Sequence, residues 1–553
     1  MARSSPSGAA ASSEHTHLAA EPGVVAVEPA TGSRGRRAEG WSPAAGPAER
    51  AVRTTAFGRV AGALLGAQLA LLLSLSAALY RAGALSIDFA AYDQAWWLLG
   101  HGRLDPFSSV LGIPFVTNNG ELILWPASLL GRLWGSPFLL LVLQDLALVG
   151  TSALTLSWVW EALSAEERLS AGQRKAIAGT VLVALVLDPW CYQTARYDIH
   201  LEPFVALFAL GAARALWRGR SAASLPWVVA LALCGANGAL ALVGIGLGAL
   251  LARRGTRLAG TAVLVVGAGW ALVLSHLGWV GAGGSIFASR YGYLAHDTHG
   301  RVGLLAVLAG MVRHPTVPLR ALAAKIPLVA ELTIPVGLVG LVSPWGAGMA
   351  LAVVVPSILT HGSFVSLYAI FQVWPAVPFV AFGSAVLLAA VVRRPGPARL
   401  LAFALTVLAV GLSAAVLATL ASVTVAGIRA QLPAGRAASR LAASLAPSTE
   451  VVGWNRVVGR LATRPELYSL DSLATTVPVR SDTVAFVLPG PTSYGAARLG
   501  PASARIARAA ERLGARRIPG TSPWIAFVWH PGPDVTAVQL AGFRPILTRT
   551  TGW

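Results

Sequence analysis

The middle of the chain consists of long apolar runs separated by short polar segments. One helical crossing of a bilayer needs roughly 20 consecutive apolar residues. Eleven runs reach or approach this length, which predicts an all-α polytopic membrane protein with about 11 transmembrane helices. The predicted crossings are 58–80, 138–160, 176–190, 203–217, 224–236, 238–252, 258–279, 326–343, 346–360, 372–392 and 400–428. The stretch 122–134 is shorter and contains Pro126, so we predict an interfacial or re-entrant helix there.

Both ends of the chain lack such runs. Residues 1–56 are rich in Ala, Ser, Gly and Pro without apolar periodicity, which is typical of a disordered tail. After residue 428 the hydropathy falls, and short strand-like stretches alternate with Pro and Gly. We therefore predict a disordered cytoplasmic tail over 1–56, a transmembrane helical domain over 57–428 and a small extracytoplasmic α/β C-terminal domain over 429–553.

Composition supports a membrane protein. Hydrophobic residues make up 55% of the chain and charged residues 12%, with a mean hydropathy of +0.64. A soluble domain carries about 25% charged residues, so a large soluble enzyme is excluded. The net charge of +19 comes from arginines clustered between apolar runs or in the two tails. That distribution indicates membrane topology and gives no reason to expect a nucleic-acid partner.

The basic clusters also predict orientation. Those at 168–175, 214–220, 253–257 and 393–399 should face the cytoplasm. With the N-terminus also inside, eleven crossings satisfy all four clusters and leave the C-terminal domain outside the plasma membrane. The outer-face loops are then 81–121, 188–202, 280–325 and 361–371, and these loops hold most of the polar residues that topology does not explain.

The first outer loop contains Asp88 and Asp93, directly after the first crossing. A carboxylate at the membrane surface can act as a general base on a hydroxyl or help to hold a divalent cation. Asp88 could equally be a helix cap, and a structural hydrogen bond is the better explanation for Asp93. The two cysteines of the chain form neither a metal set nor a disulfide framework.

The next two outer loops add further candidates. Asp198, His200 and Glu202 alternate along the second loop, as ligands for a divalent metal, a sugar or a phosphate would, although a satisfied polar cluster is about as plausible. In the third loop, Arg290 offers a planar fork for a phosphate, and Tyr291 could stack on a sugar or belong to an interfacial aromatic belt.

The sequence lacks the motifs that mark several classes of protein function. The chain has no Walker loop, no dinucleotide-binding glycine motif and no HExxH. Charged residues are rare within the apolar runs, whereas coupled transport usually needs buried charge in mid-span.

Five segments together resemble the membrane family known as domain-of-unknown-function family 2079 (DUF2079), with order and spacing that agree over roughly 58–390. The segments are DFAAYDQAWW at 88–97, HGR at 101–103, PFS at 106–108, YDIHLEPF at 197–204 and RYGYL at 290–294. The chain departs from the family in two places. Asn118-Asn119 stands where the family usually has Asp-His, and Gly235-Ala236-Asn237 stands where it commonly has Lys-Glu-Asp.

That family is similar to the glycosyltransferase C superfamily, whose polytopic members use sugars carried on polyprenyl phosphate. The resemblance implies a glycosyltransferase-C-like fold and sugar transfer from a lipid-linked donor to an envelope glycan or lipid acceptor at the outer face. It implies Asp88 as catalytic base or metal carboxylate and Asp93 as a supporting catalytic residue. The implied substrate-binding residues are Asp198, His200, Glu202, Arg290 and Tyr291.

Some alternatives remain open at this stage. The need for a divalent cation such as Mg²⁺ or Mn²⁺ is not determined by this ambiguous ligand set. A transporter or flippase of a lipid-linked envelope precursor would explain the many crossings. A non-catalytic envelope scaffold would explain the lost ionisable groups.

Overall fold

The computed structural model describes residues 56–252, 254–280, 285–295, 302–361, 370–393, 396–470, 476–490, 496–539 and 544–546. The tail predicted over 1–56 lies outside these residues, except for Ala56. The predicted loops 280–325 and 361–371 are described only in part.

Helices account for most of the described chain. In chain order they are α1 (Ala56–Ala82), α2 (Ile87–Gly100), α3 (Val116–Asn119), α4 (Leu124–Leu133), α5 (Phe138–Ser164), α6 (Ala171–Val186), α7 (Pro189–Arg196), α8 (Glu202–Trp217), α9 (Ser221–Leu233), α10 (Gly235–Ala252), α11 (Arg257–His276), α12 (Ser285–Ala295), α13 (Leu304–Arg313), α14 (Thr316–Ala323), α15 (Ile326–Thr333), α16 (Pro344–Met349), α17 (Val355–Ile358), α18 (Val377–Val392), α19 (Pro397–Ser444), α20 (Asn455–Val458) and α21 (Ala496–Arg512).

Within the described ranges, seven helical segments are long and apolar enough to cross a membrane. They are Ala56–Ala82, Phe138–Ser164, Ala171–Arg196, Gly235–Ala252, Arg257–His276, Phe371–Val392 and Pro397–Ser444. Four shorter apolar helical segments are Ser221–Leu233, Leu304–Arg313, Ile326–Val336 and Pro344–Ile358. The chain is therefore mainly helical and polytopic, and the count of eleven crossings stays a prediction.

One predicted crossing is not a single helix. The run 326–343 divides into α15 and two short 3₁₀ turns, Ile334–Val336 and Leu338–Val342. Pro335 cannot donate an N–H group to a continuing helix, and Gly337 has a φ of 90°, outside the helical region. Hydropathy alone does not register either restriction.

The last apolar helix is longer than predicted. The crossing was expected to end at residue 428, but α19 continues to Ser444 and includes Pro433. The added stretch is rich in Ala, Leu and Arg, which are good helix formers even where hydropathy is low. The domain boundary predicted at 429 therefore falls within a continuous helix.

Aromatic packing joins the helices at one end of the bundle. Trp158 of α5 is fully buried and stacks on Phe382 of α18, with ring centroids 3.8 Å apart. Its edge-to-face contacts include Trp345 at 5.7 Å and Phe379 at 6.1 Å. One tryptophan thus holds α5, α16 and α18 together.

Ion pairs lie at the helix ends predicted to face the cytoplasm. The Glu161 carboxylate accepts from Arg218 at 2.7 Å and from Arg214 at 3.2 Å. Arg393 pairs with Glu166 at 2.9 Å. Members of two basic clusters therefore also connect neighbouring helices.

Beyond α19 the chain forms two sheets. Its strands are β3 (Glu450–Gly453), β4 (Leu467–Ser469), β5 (Thr476–Pro478), β6 (Val484–Pro489), β7 (Arg516–Arg517), β8 (Trp524–Trp529), β9 (Ala537–Gln539) and β10 (Arg544–Ile546). A five-stranded mixed sheet has the order β4-β3-β6-β8-β7, with β3 parallel to β4 and β6. A second, antiparallel sheet has the order β10-β9-β5.

A separate hairpin lies earlier in the chain, where β1 (Phe107–Ser108) pairs with β2 (Ile113–Pro114).

The five-stranded C-terminal sheet packs directly against the segment that follows α1. Ala90 and Ala91 of α2 share a buried cluster with Val451, Trp454 and Val457. The C-terminal region and the first predicted outer loop therefore have a common hydrophobic core.

A close backbone approach fixes the end of α1 against α19. A methyl group on Gly435 would lie 2.3 Å from the carbonyl carbon of Ala82 and 2.4 Å from the Arg81 oxygen. Only a residue without a side chain allows these two backbones to cross so closely.

Gly435→Ala should therefore lower the stability of the folded protein by about 1–3 kcal/mol, because the backbones must separate. Gly427→Ala in the same helix is the matched control, since a methyl group there meets no atom within 4 Å. An alanine at that position should be neutral or slightly stabilising. Thermal unfolding midpoints in detergent would test both, and equal midpoints for the two variants would contradict the close crossing.

Candidate active site

Two distant parts of the chain hold the first turn of α2. The first amides of a helix have no partner within the helix itself. The Asp198 carboxylate accepts the Ser86 N–H, at 2.9 and 3.0 Å, and the Phe89 N–H at 3.5 Å, and the Ser86 hydroxyl also donates to it. Asn455 accepts the Ile87 N–H through Oδ1 at 2.8 Å. The start of α2 is thus fixed in position by side chains from elsewhere.

Asp198 holds the start of α2 in place, and its expected role in substrate binding stays a prediction. Its carboxylate is buried and accepts the N–H groups just described. Its backbone has a φ of 71°, which is unusual for a residue other than glycine. Gln144 holds this conformation by donating to the Asp198 carbonyl at 3.0 Å and accepting the His200 N–H at 2.8 Å.

Asp88 is the second residue of α2 and is half-buried. It is not the helix cap, because Ser86 holds the cap position and Asp198 and Asn455 accept the N–H groups of this turn. No hydrogen bond reaches its carboxylate from the described residues. Burial and the negative charge of Asp198 raise the pKa of Asp88 to about 7, and the positive charge of Arg290 opposes that increase. A carboxyl group with this pKa can accept a proton near neutral pH.

Two further carboxyl groups lie near Asp88. Glu121 and Glu202 are 2% and 3% exposed, and the charges of Asp88, Glu121 and Glu202 act on one another. Burial raises the pKa of Glu121 to about 7. Because the three groups interact, their protons are expected to dissociate in coupled steps.

Amide and phenol groups hold the two glutamates. Asn119 donates to Glu121 at 3.2 Å, and Asn237 donates to Glu202 at 2.9 Å. Tyr92 of α2 also hydrogen bonds to Glu121, and the Tyr92 and Asn119 bonds limit the rise of the Glu121 pKa. Glu121, Tyr92 and Asn237 were not among the predicted site residues. Asn119 and Asn237 lie in the two segments where the sequence departs from the family pattern. Those departures were the feature of the sequence that could have pointed to these residues.

Arg290 supplies positive charge to this group. It lies on α12, and its charge acts on both Asp88 and Glu202. The Arg290 carbonyl accepts the His361 N–H at 2.8 Å, and the Tyr291 hydroxyl donates to the Pro356 carbonyl at 3.1 Å. Tyr291 therefore anchors the helix that carries Arg290, and its expected contact with substrate stays a prediction.

His200 lies in an aromatic stack. Its ring is 3.7 Å from that of Phe371, centroid to centroid, and 5.5 Å from that of Tyr197. Burial lowers the pKa of His200 to about 3, so its imidazole is neutral at physiological pH. Its Nε2 atom has no hydrogen-bond partner among the described residues, and substrate binding by that atom stays a prediction.

Asp93 lies on a different face of α2 from Asp88. Five residues along a helix correspond to roughly 140° around its axis, and Asp93 is buried where the charge of Arg460 acts on it. Burial raises its pKa to about 8, and Arg460 opposes this. Arg460 also covers the ring of Tyr80 at 4.1 Å. Asp93 therefore lies at the contact between α2 and the C-terminal region, its Oδ1 atom has no hydrogen-bond partner among the described residues, and both its supporting catalytic role and the structural hydrogen bond stay predictions.

The described residues do not fit a resident divalent metal. In this part of the chain no three His, Cys, Asp or Glu side chains are grouped so that they could hold a metal ion. Of the suggested ligands, Asp198 holds α2, His200 stacks on Phe371 and Glu202 binds Asn237. A divalent cation stays an untested prediction, and no step proposed below passes through one.

Apolar spans and a polar cluster next to the first of them are features of an integral membrane protein. A family model described as "Predicted membrane protein (DUF2079)" matches residues 80–457, which is more than half of the chain. The chain belongs to this family. All residues of the carboxylate group and Arg290 lie within the matched range.

Solved structures give a weaker likeness. A crystal structure of ArnT from Cupriavidus metallidurans bound to undecaprenyl phosphate is 14% identical, with a TM-score of 0.41, and covers 83% of this chain and 97% of its own. The same protein in the apo state is 15% identical, with the same coverage and TM-score. A TM-score this low carries neither a fold nor a ligand over to this chain. No curated protein matches the sequence.

Arg290→Gln should raise the pKa of Asp88 above about 7, because the positive charge that favours the ionised carboxylate is removed. Arg290→Lys keeps a positive charge and should shift the value less. Infrared difference titration in nanodiscs, with Asp88→Asn to assign the carboxyl band, measures this directly. An unchanged Asp88 titration in Arg290→Gln would show that Arg290 does not act on the site.

Proposed function

We propose that this protein is a membrane glycosyltransferase that moves a sugar from a polyprenyl-phosphate donor to an envelope glycan or lipid acceptor at the outer face. The proposal depends on one observation, the Asp88 carboxyl group. It is half-buried, receives no hydrogen bond from the described residues and has a pKa near 7, next to two buried glutamates and an arginine. The substrate class is inferred by analogy, from the resemblance of this family to polytopic sugar transferases.

The reaction is a single displacement. Ionised Asp88 removes the proton from an acceptor hydroxyl as its oxygen attacks the anomeric carbon of the sugar. The bond from that carbon to the phosphate oxygen breaks, and polyprenyl phosphate leaves with the electron pair. Arg290 stabilises the negative charge on the leaving phosphate. The product sugar has the opposite anomeric configuration, because one displacement inverts the reacting carbon.

The glutamates bind and orient the acceptor in this scheme. Glu121 and Glu202 are held by Tyr92, Asn119 and Asn237, so their free oxygens have a defined direction. A carboxyl group that is protonated near neutral pH can donate to a sugar oxygen, and an ionised one can accept from a sugar hydroxyl. Both modes suit a ligand rich in hydroxyl groups.

A transporter or flippase is the second candidate. Charged residues are rare within the apolar runs, but Gln68 and Ser76 of α1 and Asp145 of α5 are fully buried in the bundle. Polar groups inside membrane helices often belong to transport paths. If transport is the function, Asp145→Asn should abolish translocation of a fluorescent polyprenyl-linked lipid in proteoliposomes, while Asp88→Asn should not.

Asp88→Asn should reduce sugar transfer by about 10²- to 10⁴-fold, the usual contribution of a general base. Asp105→Asn is the matched control, because Asp105 is an exposed carboxylate in the same predicted loop and the change in charge is identical. Transfer of radiolabelled sugar from polyprenyl phosphate to envelope extracts measures the rate. Because only the ionised carboxylate accepts a proton, the wild-type rate should rise with pH through about 7.

Two results would contradict the proposed role. One is near-normal transfer by Asp88→Asn at equal expression. The other is a wild-type rate that is constant with pH between about 5 and 9, since ionisation of Asp88 would then be irrelevant to turnover.

A further inference from the structure

The C-terminal region reaches back to the backbone immediately before Asp88. Asn455 accepts the Ile87 N–H at 2.8 Å, and the Arg456 guanidinium donates to the Ala84 carbonyl at 2.8 Å. Both residues belong to α20, directly after strand β3 of the five-stranded sheet. The partners in these two bonds are 368 and 372 residues apart in sequence.

The backbones of the segment 84–87 and of the chain around Gly459 lie close together. A methyl group placed on Gly459 would lie 2.9 Å from the Leu85 carbonyl oxygen. Ile87 packs against the cluster that contains Val451 and Val457 of the C-terminal region. The segment 84–87 is therefore enclosed by α20 through hydrogen bonds, backbone contact and apolar packing together.

The orientation of this turn sets the direction in which Asp88 points. Asp88 follows Ile87 in the first turn of α2, so any rotation of that turn moves its carboxylate. Reactive groups must be held to within about 0.5 Å of their working geometry. Asp198 holds the turn at Ser86 and Phe89 only, which leaves the Ile87 amide to Asn455.

We propose that Asn455 and Arg456 are positioning residues of the candidate active site, so that the C-terminal domain is a structural part of that site. Asn455 fixes the Ile87 N–H, Arg456 fixes the Ala84 carbonyl, and together they orient the turn that carries Asp88. The inference rests on the proposed catalytic role of Asp88 for its effect on turnover, but the structural coupling can be measured without activity.

The experiment is a double-mutant cycle in the full-length protein in nanodiscs. Asn455→Leu removes the acceptor at nearly constant size. Ile87→Pro removes the donor, and a proline suits the first position of a helix after an extended residue such as Ser86 (φ −109°, ψ −157°). Hydrogen exchange of the amides at 88–92 reports on the first turn of α2, and single-turnover sugar transfer reports on Asp88.

Asn455→Leu should speed exchange at 88–92 by roughly fivefold, as expected for a lost helix cap. It should also lower kcat by about 10- to 100-fold, with little change in KM for the polyprenyl-phosphate sugar. In the Ile87→Pro background the same substitution should have no further effect on either quantity. Asn455→Asp retains an oxygen acceptor and should restore exchange at 88–92 to near wild type.

A control separates positioning from a general loss of stability. Val477→Ala weakens the buried core of the smaller sheet and should lower the unfolding midpoint without faster exchange at 88–92. Unchanged exchange in Asn455→Leu, or an equal increase with and without Ile87→Pro, would overturn the positioning role. If no variant and no wild-type sample transfers sugar, the proposed function is wrong, and the exchange results still decide the coupling.

Discussion

The amides at the start of α2 are the groups on which the candidate site depends. A helix that starts beside a membrane cannot rely on bulk water for every free N–H group, so protein groups must accept them. Asp198 accepts two of these amides and Asn455 accepts a third. One carboxylate and one amide side chain thus bring the first and second predicted outer loops and the C-terminal region together at the start of α2. Asp88 stands next to that point, and its direction follows from these bonds.

The same geometry determines the electrostatics of the site. Asp198 satisfies the helix but adds a negative charge near Asp88, which together with burial raises the pKa of Asp88 to about 7. Glu121 and Glu202 add more potential negative charge, and Arg290 acts on Asp88 and Glu202 as the opposing cation. Three interacting carboxyl groups near one guanidinium retain protons that isolated carboxyl groups would lose at neutral pH. An anionic phosphate near Arg290 would raise the pKa values of these carboxyl groups further.

The sequence was enough to predict the apolar helices, because hydropathy is a local signal. Hydropathy predicted α1, α5, α10 and α11 closely, but it could not register the break at Pro335 and Gly337 within an apolar run. The role of Asp198 could not be predicted, since its partner Ser86 lies 112 residues earlier in the chain. The contact of Asn455 with Ile87 was even less accessible, because no periodicity connects a soluble sheet with a membrane-proximal turn. A sequence pattern can point to candidate residues, whereas contacts between distant parts of the chain determine the structural role of each one.

The two departures from the family pattern form one structural unit. A side chain on Gly235 would place its first carbon 2.1 Å from the Asn119 carbonyl oxygen. With glycine there, segment 119–120 approaches α10 closely, and Gly235 adopts a φ of 68°. Asn119 and Asn237 then donate to Glu121 and Glu202, whereas a carboxylate at position 237 would repel Glu202. The amide groups of Asn119 and Asn237 therefore give Glu121 and Glu202 hydrogen-bond donors without adding charge to the site.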